Sequence, residues 1–310
     1  MNKITRQQLH SLQVSPQIYR WFLRRFPQGG DYTEIHHALM CDGYIEWMES
    51  LVAYSYAVSF DTPSFIAQEI SATQAMVDRL TDGNNGVIQV RPRSRSGKYT
   101  PDMLSEVQLA TGDPMLDIGC IGLPSKVATS GPYNFIGNSG ENSGIASVGY
   151  ACQLASSGFA VKISNAGQHC RIGSLGGRAR ISNSGNSAKI SSAGRGSHIS
   201  NSGMRSYISS VGESTTIANV GDMCKIGTSG NDNRIANTGN NVSISVTGEN
   251  TVVTSSGLIN TLVLGKGGCA ALTYHDGVRT RFLVVYEGEN GITAGVKYRF
   301  NDAFELEVCG

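Results

Sequence analysis

Arg178 to Gly203 read RARISNSGNSAKISSAGRGSHISNSG, and the phrases ISNSG, ISSAG and ISNSG within that stretch begin nine residues apart. The spacing continues in both directions. An aliphatic residue stands at 136, 145, 154, 163, 172, 181, 190, 199, 208, 217, 226, 235, 244, 253 and 262, and a glycine follows four places later at every step from 140 to 257. A unit this small cannot bury its own apolar face and must stack on its neighbours. Nine residues are too few for a helical hairpin but hold a strand of about four or five residues and a turn, with glycine expected to make the corner. Within a strand, side chains alternate. Cys170 and Ile172 therefore point inward while Arg171 and Gly173 point outward, and the column two places before the aliphatic residue (Val161, Cys170, Ala179, Ala188, Ser197, Ser206, Thr215, Cys224) joins the core.

A slower period sets the size of the coil. Two places after the aliphatic residue stands Asn at 165, 183, 201, 219 and 237, but Ser or Thr at 156, 174, 192, 210 and 228. The true repeat is eighteen residues in two nine-residue halves. Parallel strands then stack ~4.8 Å apart, Asn165 to Asn237 form a ladder in which each amide bonds the next, and the Ser/Thr column faces it across the coil. The fourteen glycine-marked units make about seven coils, a rod roughly 34 Å long.

The flanks differ from this. In residues 1–83, Ile18, Phe22 and Phe26 recur at helical spacing, Asp31 or Thr33 offers an N-cap with a stop at Gly43, and two further helices are read within Tyr44–Ala57 and Thr62–Asp82, the second with Pro63 near its first turn and Gly83 beyond its end. Residues 84–131 carry the strand-like GVIQVRP and MLDIGCIGLP and read as an adaptor that caps the N-terminal end. From residue 266 the rhythm stops; ALTYH, RTRFLVVYEG and VKYRFNDAFELEV are separated by Asp276-Gly277 and Asn290-Gly291, which signal hairpins. The fold expected is mainly β: a parallel β-solenoid over 132–265, with an α-helical N-terminal module and a C-terminal antiparallel β cap over 266–310 that covers the open end.

The totals exclude several functions. The chain has 310 residues, 38 of them glycine, and a net charge of +1, so no whole-molecule charge directs it to nucleic acid or membranes. Met1–Phe26 has no apolar run suited to a signal peptide, and nothing reaches the ~20 apolar residues of a membrane span; a cytoplasmic protein is expected. Seven cysteines without a CxxC pair argue against a disulfide framework or a zinc site. Cys152, Cys170 and Cys224 fall on one inward column and read as core filler. A nonapeptide Ca²⁺ roll needs a carboxylate in each repeat, whereas Asp222 and Asp232 are the repeat region's aspartates and share no phase with each other. An ice-binding face is excluded by bulky outward residues. No nucleophile–base pair or carboxylate pair emerges from the spacing, and adjacent His36 and His37 diverge on a helix. The expectation is therefore no enzyme, no metal and no cofactor.

Charge is local. Between Lys162 and Tyr207 lie seven basic residues and no acidic one: Lys162, Arg171, Arg178, Arg180, Lys189, Arg195 and Arg205, with His198 among them. The eighteen-residue period puts Lys162, Arg180 and Arg234 on one flank and Arg171, Lys189 and Lys225 on the other. These residues, Tyr207, and a basic loop containing Arg91, Arg93, Arg95 and Lys98 are the candidate binding residues. Simple solvation of stacked strands competes with phosphate or acidic-partner recognition as their purpose.

Two segments carry a resemblance. WFLRRFPQGGDYTEIHHALMCDGYIEWMESLV and ALTYHDGVRTRFLVVYEGENGITAGVKYRFNDAFELEV resemble the terminal segments of uncharacterised repeat proteins of phages, prophages and other mobile elements. That resemblance implies an accessory protein acting inside a bacterial host. Combined with the rigid rod and the missing active site, the expectation is a non-enzymatic protein, monomeric or homodimeric, that binds a host protein such as a defence factor. Nucleic-acid binding through the basic belt is the alternative, and a virion fibre component the third reading.

Overall fold

The computed structural model describes residues 3–11, 14–60, 62–81, 88–92, 107–122 and 124–309. Its centre is the expected parallel β-solenoid, flanked by helices at the N-terminal end and antiparallel strands at the C-terminal end. Alternate strands belong to two sheets of twelve and eleven strands. Pairing is in register at eighteen residues until the last coil: Arg180, Ile181, Ser182 and Asn183 lie beside Lys162, Ile163, Ser164 and Asn165, and beside His198, Ile199, Ser200 and Asn201, whereas Val252 lies beside Cys269, one residue short. Stacking begins earlier than expected, inside the adaptor, because Val107–Thr111 already pairs in parallel with Ser125–Thr129 and Leu116–Cys120 with Phe135–Asn138. The sheet from Leu116 to Val263 thus contains nine parallel strands and the solenoid about nine coils rather than seven. Within it, the aliphatic column and the column two places before it fill one continuous core.

The asparagine ladder forms as the spacing requires. Asn165 Nδ2 donates to Asn183 Oδ1 at 2.7 Å, Asn183 to Asn201 at 2.7 Å, Asn201 to Asn219 at 2.8 Å and Asn219 to Asn237 at 2.8 Å, and the run closes on Ser255 Oγ at 2.9 Å. Each amide donates as well to the glycine carbonyl two places on, for example Asn183 Nδ2 to Gly185 O at 2.8 Å. All of these residues are buried.

The repeated glycine has a different role from the one expected. It does not adopt the left-handed backbone. That conformation falls two residues later, on a non-glycine residue at Arg178 (φ 56°), Ser187 (φ 58°) and Arg205 (φ 56°), and on Gly196 (φ 68°) after Gly194. A side chain held there costs about 1–2 kcal/mol, offset by a coil-to-coil bond from its own N–H: Arg178 N to Arg195 O at 2.9 Å, Ser187 N to Met204 O at 2.8 Å. Glycine is required for close approach, since a Cβ on Gly185 would lie 1.9 Å from Gly167 O in the previous coil.

Among the described residues five helices precede the solenoid: α1 Arg6–Ser11, α2 Pro16–Arg25, α3 Tyr32–Asp42, α4 Ile45–Ser59 and α5 Pro63–Thr81. Helix α1 was not legible in the sequence. Asp31 caps α3 through a reciprocal capping box with Glu34, and Gly43 ends it at φ 79°. Helix α5 lies across five strands of one sheet, from Leu116–Cys120 to Lys189–Ser192. The cap continues the sheets rather than sealing them with a separate meander. Cys269–His275 and Thr280–Tyr286 form the hairpin expected at Asp276-Gly277 and extend one sheet. Asn290-Gly291 turns the chain but makes no hairpin there, because Lys297–Phe300 crosses to the other sheet and pairs with Ile259–Val263. Val285, Ile292 and Tyr298 plug the core between them. Among the described residues no helix is long and apolar enough to cross a membrane.

Candidate functional site

The two sheets have the same repeat but different surroundings. In the sheet that carries α5, strands such as Gln153–Ser156, Arg171–Ser174 and Lys189–Ser192 are buried at every position; in the other, Lys162–Asn165, Arg180–Asn183 and His198–Asn201 alternate exposed and buried. The first is the covered sheet and the second the open sheet.

The open sheet presents parallel outward columns. The middle one is small throughout: Ala110, Ala128, Ala146, Ser164, Ser182, Ser200, Ala218, Ala236 and Thr254. From Ala110 to Ala218 it lines a trough of about 990 Å³. Beside it runs the column Lys126, Gly144, Lys162, Arg180, His198, Thr216 and Arg234, exposed or half-exposed at each step and without a carboxylate. Coil stacking spaces these groups ~4.8 Å apart. Among the described residues Lys162, Arg180 and Arg234 make no ion pair. Such a face offers hydroxyls for hydrogen bonds and a row of cations for anionic groups, on a backbone already fixed by the ladder beneath it.

At the corners, Arg178 is exposed with its guanidinium 5.5 Å from the Phe159 ring, Arg195 is exposed 3.8 Å from Glu213, and Arg205 is exposed on the opposite corner. Of the candidate residues, then, Lys162, Arg180 and His198 form one row on adjacent coils, and Arg178, Arg195 and Arg205 decorate the edges. Arg91 lies on the strand Ile88–Pro92, antiparallel to Leu116–Cys120. The expected loop residues Arg93, Arg95 and Lys98 lie outside the described residues.

Arg171 and Lys189 are not the outward, solvated cations that the alternation predicts. Each is 4% exposed, beneath the helices. Arg171 Nε donates to Glu69 Oε1 at 2.5 Å, Nη2 to Thr73 Oγ1 at 3.2 Å and Nη1 to Gln153 Oε1 at 3.3 Å; Nη1 also meets His36 Nε2 at 2.5 Å. Tyr32 Oη donates to the other oxygen of Glu69 at 2.6 Å. Burial opposes the charge of Arg171, but Glu69 beside it holds the guanidinium charged, above its ordinary range. Burial, then Arg171, pushes His36 well below the ordinary histidine value, so it stands neutral. Burial lowers the Lys189 ammonium as well. Tyr207 is also no free contact: its ring packs 5.5 Å from Tyr56 and 5.2 Å from Phe60, with Lys225 Nζ 5.6 Å from its centre. These groups fasten the helices to the solenoid. At the margin of that interface His169 Nδ1 lies 3.2 Å from Glu49, and Tyr150 Oη donates to Glu49 at 3.4 Å.

One signal in the sequence did distinguish the sheets. Directly after the aliphatic residue the covered sheet has Gly119, Gly137, Gly173 and Gly227, interspersed with Ala155, Ser191, Ser209 and Ser245, whereas the open sheet has Ala, Ser or Thr there from Ala110 to Thr254 and no glycine. A Cβ on Gly119 would meet Leu80 O at 1.8 Å and one on Gly173 would meet Thr73 at 2.4 Å, so these glycines carve the bed in which α5 lies.

Residues 1–60 match the YdhT N-terminal domain family. The match takes in α1 to α4 and stops before α5, so Tyr32 and His36 of the Arg171 cluster fall inside it and Glu69 and Thr73 outside. The chain is also 44% identical over 73 residues to the uncharacterized protein YdhT of Escherichia coli (strain K12), a stretch covering 24% of this chain and 27% of that relative. The chain thus matches about a quarter of the relative's length. No solved structure matches.

Proposed function

We propose that this is a non-enzymatic binding protein that presents the open solenoid sheet to an acidic macromolecular partner, most directly the surface of another protein. The observation that carries the reading is the asymmetry of the two sheets. One belt of outward positions is spent on fastening the helices, while the other keeps a flat Ser/Ala floor and the row Lys162, Arg180, His198 and Arg234 exposed. A preorganised surface loses little conformational entropy on binding, and a row of one sign of charge selects and steers an acidic partner. The resemblance of both terminal segments to mobile-element proteins extends the proposal to a partner in a bacterial host, a defence protein being the target class.

The test is capture from host lysate by immobilised protein, comparing the native chain with Lys162→Glu/Arg180→Glu and with Arg205→Glu. The reading expects one specific protein, lost with the first variant and kept with the second. Equal capture by all three chains would remove the open sheet from the account. The cation row also supports a second reading, nucleic-acid binding. An electrophoretic shift whose affinity falls steeply with salt would favour it.

A further inference from the structure

The open sheet ends at the strand Thr280–Tyr286, and that end has the features of a pairing edge. The strand is paired on one side only, with Cys269–His275; among the described residues nothing pairs with its other side. It has seven residues where most coil strands have four, and it contains no proline or lysine to discourage pairing. Glu287 N donates to Gly268 O at 2.9 Å. By antiparallel alternation the odd-numbered residues therefore turn their backbone groups toward Cys269–His275. Thr280, Phe282, Val284 and Tyr286 turn theirs to the free edge. The same residues put apolar side chains on the outer surface: Phe282 is 70% exposed, Val284 51% and Tyr286 50%.

We propose that this edge pairs with the same edge of a second copy of the chain, antiparallel about a two-fold axis at Leu283. In that register all seven residues pair, Thr280 with the partner's Tyr286 and Phe282 with the partner's Val284, each a position whose backbone groups point outward. Opposed side chains lie on one face, so Phe282, Val284 and Tyr286 of both copies form one apolar cluster. The same register sets Arg279 opposite the partner's Glu287 at both ends of the ribbon. Arg281 is already held by Asp276 at 2.5 Å, which leaves Arg279, exposed and without an ion pair among the described residues, to meet that carboxylate. A two-fold interface requires such self-complementarity. The two open sheets then join into one surface of twenty-two strands, twice the eleven of one chain.

Light scattering during size exclusion tests this with the full chain. The native protein should have twice the 33.0 kDa mass of one chain. Val284→Pro removes an edge-facing N–H that the ladder to Cys269–His275 does not use, and should give a folded monomer. Arg279→Glu and Glu287→Arg should each weaken the dimer by at least about tenfold, and Arg279→Glu/Glu287→Arg should restore it, a recovery that misfolding cannot produce. A monomeric native chain, a dimer indifferent to these changes, a double variant that stays monomeric, or an edge occupied only by a foreign protein would each overturn the proposal.

Discussion

The two sheets of the solenoid are built from the same nine-residue phrase and are braced from opposite directions. Among the described residues nothing packs over the open sheet's outer surface, and its inward Asn165, Asn183, Asn201, Asn219 and Asn237 form a bonded ladder inside the coil. The covered sheet has Ser156, Ser174, Ser192, Ser210 and Thr228 at the equivalent places, and the hydroxyls of Ser174, Ser192 and Thr228 find no partner among the described residues. Its bracing comes from outside, through α5 seated on Gly119, Gly137 and Gly173, and through the Arg171 cluster. Internal polar satisfaction frees a face for display, whereas an external clamp uses the face it grips.

This contrast can be broken at several points. The largest effect is expected at Arg171. Arg171→Ala leaves Glu69 buried without its cation and should cost about 3–5 kcal/mol, while Arg180→Ala, in the same phase on the open sheet, should stay within about 0.5 kcal/mol; urea denaturation measures both. Replacing the pair by Arg171→Met/Glu69→Leu should cost less than Arg171→Ala alone, because no charge is then left buried.

Next is the bed of α5. Gly173→Leu drives a side chain into Thr73 and should cost about 1–3 kcal/mol through overpacking, while Ser182→Leu on the open sheet should leave the denaturation midpoint almost unchanged. The ladder follows: Asn201→Ala removes a bonded amide from the middle of the run and should cost about 1–3 kcal/mol, whereas Ser192→Ala, whose hydroxyl has no partner among the described residues, should cost less or stabilise.

The smallest effect is a pH dependence confined to the covered sheet. His36 has a value well below 6.5 in the folded protein, held down by burial and then by Arg171. Below pH 6.5 the unfolded chain takes a proton that the folded chain refuses, so stability falls as pH drops, by at most about 1.4 kcal/mol per pH unit from this group, until the folded value is passed. His36→Gln should flatten that part of the profile.

The solenoid was legible because its period is enforced by contact: Ile181 must lie on Ile163 and Asn183 on Asn165, and any insertion would break both columns. The capping residues Asp31 and Gly43 were legible for a similar local reason. The candidate surface was only half legible. Arg171 and Arg180 occupy the same place in the nine-residue phrase, and the phrase marks only in part which will be roofed by helices folded from a distant segment. Glycine one residue after the aliphatic position occurs only on the covered sheet, as at Gly173 against Ser182, but Ser191, beside the equally buried Lys189, reads like the open sheet. The corner glycines misled because they repeat as turn residues do, while the requirement at Gly185 is room for Gly167 O. The edge strand Thr280–Tyr286 read as part of a closing meander, since hairpin signals report the turn and not which side of the hairpin stays free.

Thiol labelling of a matched pair tests the central contrast most directly. Ser191→Cys places a thiol on the covered sheet, where the native serine is 2% exposed, and Ser182→Cys places one on the open sheet. With peptide-level mass spectrometry under native conditions, Cys at 182 should react at the rate of a free thiol. Cys at 191 should react only at the rate of unfolding or helix release. Equal rates would show that the helices do not distinguish the two sheets and would contradict the account.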